Sequence, residues 1–151
     1  MPRPLYCAAM LTRHTHLFVC FVLIAGCSDA VTWTNVEIEN GKRIFIAIEA
    51  ANKAGLLLRQ YETEPDQQIL RTDLIAQLQR AHVQAIQVDD IVLDKMHPSM
   101  HLHFRKRFQL ALAKLIRYYN GDVSVDVDSA VKDMADFQQW FKTHQQELRL
   151  W

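Results

Sequence analysis

Three of the seven histidines, His97, His101 and His103, fall within one short stretch. Imidazole nitrogens bind zinc and copper, and a spacing of four puts His97 and His101 on one face of a helix. His103 falls about 200° round from His101 on the same helix. The zinc-protease form of this spacing needs a glutamate directly after the first histidine, and Pro98 stands there instead. The plain alternative is a group of surface histidines at a helix start, titrating near neutral pH.

The second group is basic: Arg105-Lys106-Arg107, with Lys114 and Arg117 following. At 100° per residue, Lys106, Arg107, Lys114 and Arg117 fall within about 100° of one another. They oppose Phe104, Phe108, Leu112 and Leu115. This is the wet face of an amphipathic helix, or a surface for an acidic partner protein or anionic headgroups. Trp140 lies about 60° off the apolar stripe of its own segment, at the core edge or as an exposed partner anchor. Asp89, Asp90 and Asp94, and Asp122, Asp126 and Asp128, lack the central glycine and distal glutamate of a calcium loop, so capping explains them better. Ser28, Ser99, Ser124 and Ser129 have no nucleophile elbow around them. No phosphate-cradling glycine loop is present, and no cofactor is expected.

The remaining reactive side chains are three cysteines, Cys7, Cys20 and Cys27. Residues 1–16 carry Arg3, Arg13, His14 and His16 and no acid, and residues 17–25 form an apolar run. Such a run is about half the length of a spanning helix. The pattern is that of an export signal. Its end, Leu23-Ile24-Ala25-Gly26-Cys27, resembles the lipobox of bacterial lipoproteins, with Ile24 where leucine is commoner. That resemblance covers about the first 27 residues. It implies a diacylglycerol on the Cys27 sulfur, cleavage before Cys27 and acylation of the new amine. Several chains together anchor a protein stably where one would hold only marginally. Ser28 follows the cysteine, and aspartate comes one place later as Asp29. In enterobacterial-type sorting this implies the outer membrane, facing the periplasm. A start at Met10 would give a more usual signal than a start at Met1.

Arg3 and Arg13 belong to the signal, leaving 15 basic and 17 acidic residues beyond it. That near-balance provides no global field for nucleic acid. The expected organisation is a signal peptide over 1–26, a lipidated tether over 27–34 and one helical domain over 35–151.

The elements that must position these groups are mostly helical. Glu64-Pro65-Asp66 is a helix start, followed by the stripe Leu70, Leu74, Leu78, Ala81 and Ala85. His97-Pro98-Ser99 opens another, with Phe104, Phe108, Leu112, Leu115 and Tyr119 as its stripe and Asn120-Gly121 as its end. Asp128 or Ser129 caps the last helix, whose stripe is Ala130, Met134, Phe137, Phe141 and Leu148. A short helix over Asp89 to Met96 fits the connector. Residues 34–62 read two ways. Thr34 and Glu37 have capping-box spacing, and Ile44, Ile48, Ala51, Gly55 and Leu58 share a helical face. Yet Val36 and Ile38, then Asn40-Gly41, then Ile44, Ile46 and Ile48 form a hairpin pattern, to which Val123, Val125 and Val127 could add a strand.

The expected fold is therefore all-α, a four-helix antiparallel bundle. The alternative is a small α+β domain with an N-terminal hairpin on three helices. The expected function is a lipid-anchored, periplasm-facing, non-enzymatic domain that binds an envelope protein. The alternative is an envelope metal-binding protein or hydrolase using His97 and His101. A third reading, a small apolar ligand between the helices, finds no void in the stripes.

Overall fold

The structure, a computed structural model, describes residues 31–64 and 68–150. The signal, the first half of the tether with Cys27, residues 65–67 and Trp151 lie outside the described residues. Trp33–Trp151 is one compact unit and holds the whole cluster of buried apolar side chains.

The first helix, α1 (Asn35–Thr63), begins where the capping box requires. Thr34 Oγ1 accepts from the Glu37 amide at 3.2 Å, and Glu37 Oε2 accepts from the Thr34 amide at 2.8 Å. The hairpin alternative is overturned, because Asn40-Gly41 sits inside this helix. Asn40 is spent on a long-range tie instead of a turn. Its side chain donates to the Gln87 carbonyl at 3.2 Å and accepts from the Asp89 amide at 2.6 Å. The apolar residues that mimicked strand alternation are divided by the helix: Ile44 is fully buried, while Val36 and Ile46 are exposed.

Helix α2 (Gln68–Ile86) returns antiparallel along α1 and buries Leu74, Leu78, Ala81 and Ala85. Asp89 caps the short α3 (Asp90–Met96), its carboxylate accepting from the Ile91 amide at 2.9 Å. Helix α4 (Met100–His103) runs without a break into a π-helical segment (Phe104–Gln109) and α5 (Leu110–Tyr119). In a pure α-helix, the steps Phe104, Phe108, Leu112 would drift about 40° at each fourth residue. The wider π turn offsets that drift, and all three side chains stay in the core. Gly121, with φ +103°, makes the left-handed stop after Asn120.

The last helix, α6 (Val127–Thr143), starts earlier than the stripe suggested. Asp126, not Asp128 or Ser129, is its cap, and its carboxylate accepts from the Ser129 amide at 2.9 Å. The preceding valines build no strand. Asp122 folds Val123 and Ser124 into a turn by accepting from the Ser124 amide and hydroxyl. Beyond α6 the chain turns back, buries Leu148, and the Arg149 amide donates to the Met96 carbonyl at 2.9 Å. The described residues are thus all-helical and bundle-like.

Phe104, Phe108 and Phe137 are the largest fully buried side chains. Their rings meet at centroid distances of 4.6 to 6.0 Å, joining the π-helical segment to α6. Burying each contributes about 1.5–3 kcal/mol.

Candidate functional site

The three nominated histidines are sorted differently from the helix-face expectation. Pro98 and Ser99 separate two helices, so His97 is the extended cap of α3, and His101 lies on α4. His101 faces Asp90 and Asp94 at 3.8 and 4.0 Å. His97 turns the other way, toward α6. Its Nδ1 accepts from the Ser99 amide at 3.1 Å, and its Nε2 lies 3.5 Å from Glu147. One helical face therefore does not hold both rings. Among the described residues, no group of three or more His, Cys, Asp and Glu side chains is placed to hold a metal ion.

Trp140 organises what the structure does bring together. His103 stacks on its indole at 4.3 Å, His144 stacks at 5.0 Å, and His97 meets it edge-on at 5.4 Å. The indole also packs on the core, next to Phe137. This is the core-edge role, reached from a position that sequence placed just off the stripe. His144 sits one turn after Trp140, and its Nδ1 lies 2.9 Å from the Trp140 carbonyl. Neither His144 nor Glu147 was nominated from sequence. The only available signal was the spacing of four from Trp140 to His144. The His103 Nδ1 is buried without a hydrogen-bond partner. Burial, then the positive charge of Arg107 and the two neighbouring histidines, push the His103 pKa below its ordinary value.

The basic stripe is largely matched by acids. Arg107 pairs with Asp136 at 3.0 Å and Lys114 with Asp133 at 3.7 Å, both across to α6. Arg117 pairs with Asp122 at 2.6 Å. Arg105 binds Asp90 and also donates to the carbonyls of Ala85 and Val88, joining α2 to the π-helical segment. Lys106 stands exposed, with exposed Leu102 and Leu110 one turn before and after it.

A cavity of about 470 Å³ opens between the C-terminal half of α1 and α6. Leu74, Leu78 and Leu115 floor it, Gly55 and Met134 face it from the sides, and Arg59 and Glu62 stand at its rim. At one end the seam is closed by Gln138 donating to Asn52 at 3.0 Å, and beyond that by the edge contact of Phe45 with Phe141. Sequence stripes gave no hint of it, because its walls mix apolar, small and polar residues that read as ordinary helix.

Comparison with protein-family models, with curated proteins and with solved structures gave no match to this chain. No helix among the described residues is long and apolar enough to cross a membrane.

Proposed function

We propose that this protein is a bacterial envelope lipoprotein, tethered through lipid on Cys27 with its helical domain facing the periplasm from the outer membrane. In this reading the domain acts as a non-enzymatic adaptor that binds an envelope protein. The observation that carries it is the run Leu23-Ile24-Ala25-Gly26-Cys27 behind a basic, acid-free start and a short apolar segment. The domain's first helix is capped at Thr34, seven residues after Cys27. An extended chain of that length reaches about 25 Å, enough to hold a domain beside a bilayer. The four long helical stretches, 35–63, 68–86, 100–119 and 127–143, fit an antiparallel four-helix bundle, the frame such an adaptor needs.

The partner surface is assigned to the outer face of Leu102, Lys106 and Leu110, which combines two exposed apolar side chains with a cation. Arg107, Lys114, Arg117 and Trp140 are tied up by contacts within the domain and contribute less. Intact-protein mass spectrometry of the membrane fraction tests the anchor. It should find residues 1–26 removed and a lipid mass on Cys27, and a Cys27→Ala chain should lose both. Crosslinking in cells followed by affinity purification tests the partner. One envelope protein should be captured by the native chain and lost in Lys106→Glu, Leu110→Asp. An unmodified thiol at position 27 with the leader attached would refute the reading.

A further inference from the structure

We propose that the cavity between α1 and α6 is a binding site for a single unbranched aliphatic chain, whose polar end stays at the rim beside Arg59 and Glu62. This stands independently of the lipid anchor, since it rests only on the geometry of the helical unit.

The first argument is shape. The lining residues on α1 run from Ala51 to Glu62, which at 1.5 Å per residue is about 16 Å of length. Spread over that length, 470 Å³ leaves a cross-section of about 30 Å². Such a slot matches one polymethylene chain better than a fused ring system. The volume lies within the range of ordinary small-ligand pockets, roughly 300–1,000 Å³.

The second argument is chemistry. The floor is made of Leu74, Leu78 and Leu115, while the charged side chains are confined to the rim. An aliphatic tail would lie along this leucine floor, between the Asn52–Gln138 pair at one end and Arg59 and Glu62 at the rim, where its polar end meets water.

Gly55 points the same way. It sits in the interior of α1, where glycine weakens a helix relative to alanine. Neither close packing nor backbone conformation calls for it. A Cβ built there meets no atom within 4 Å, and no unusual φ is found at this position. What the missing side chain does is leave the slot wide.

The experiment is photo-crosslinking of the full chain, purified from whichever cell fraction holds it, with an alkyl carboxylate bearing a diazirine near the end of its tail. Labelled peptides are mapped by mass spectrometry. The label should fall on segments holding Ala51 to Leu58 and Met134-Ala135. It should persist in Gly55→Ala and drop at least fivefold in Gly55→Leu, which fills the slot. Ala135→Leu narrows it from the opposite wall and should do the same, so one badly folded variant does not decide the matter. An excess of a fused-ring steroid should not displace the probe. Labelling confined to other segments, labelling unchanged in both folded leucine variants, or displacement by the steroid would each overturn the proposal.

Discussion

Replacing Gly55 by alanine should stabilise this protein, and replacing Gly121 by alanine should destabilise it. Both residues have open space where a Cβ would go, so packing does not separate them. Backbone conformation does. Gly55 lies inside α1, where alanine restricts the unfolded chain and favours the helix, a gain of about 0.5–1 kcal/mol. Gly121 holds φ at +103°, where any L side chain crowds the backbone, a loss of about 1–2 kcal/mol. The two changes should thus differ by about 1.5–3 kcal/mol. With a urea dependence of about 1–2 kcal/mol per molar for a domain of this size, their unfolding midpoints should separate by about 0.75–3 M. Far-UV circular dichroism during urea titration at pH 7 measures this directly. If Gly55→Ala lowered the midpoint as far as Gly121→Ala does, the Gly55 position would have a conformational demand that the helix geometry does not contain. Gly55 would then no longer count as a residue kept small to widen the slot.

Other perturbations have equally definite signs. Thr34→Ala removes the side-chain acceptor for the Glu37 amide and should cost about 0.5–2 kcal/mol in the same urea assay. Phe137→Ala empties the junction of α6 with the π-helical segment and should cost about 3–5 kcal/mol, enough to show by calorimetry as a large fall in Tm. His103 should make stability pH-dependent on the acid side. Its folded pKa lies below the ordinary 6.5, so above pH 6.5 both states are neutral and stability is full. As the pH falls below 6.5 the unfolded state protonates first, and stability drops until the folded-state pKa is passed. His82, also lowered by burial, adds a parallel slope. His103→Phe should therefore flatten the decline between pH 7 and 5 without abolishing it, and an unchanged slope would remove His103 as its source.

How much of this could be read from the chain depends on the range over which each signal acts. Caps and stripes are local, and they held for Asp89, for Thr34 with Glu37, and for Phe104 through Tyr119. The expected cap of α6, Asp128 or Ser129, lies two or three residues late because Asp126, Asp128 and Ser129 all carry suitable oxygens. Only the turn set by Asp122 decides among them. The hairpin pattern of 36–48 failed as a competing reading because Asn40 finds partners at Gln87 and Asp89, which no local window contains. Contacts between elements were less legible. Nothing short of the packed fold tells that His103, nominated with His97 and His101, parts from His101 and joins His144 on Trp140. The basic stripe was legible as a face, but the acids that answer it come from α6 and from the turn before it.

These contacts also divide the domain along its length. Lys95 bonds Glu37 at the start of α1, and His97 and its aromatic cluster follow directly. The side-chain bond from Lys95, aided by the Thr34 amide, holds Glu37 down to a pKa of about 2, so this end stays ion-paired through mild acid. The cavity's lining on α1 begins at Ala51, fourteen residues beyond Glu37, or about 21 Å further along the helix. His103, stacked on Trp140, thus stands at the tether-side end of the slot, since Trp140 lies two residues beyond the lining residue Gln138 on α6. Protonating His103 beside Arg107 would load α6 at Trp140, and α6 is also the outer wall of the slot. A shift in aliphatic-chain binding between pH 7 and 5.5, lost in His103→Phe, would therefore report coupling carried by that one helix.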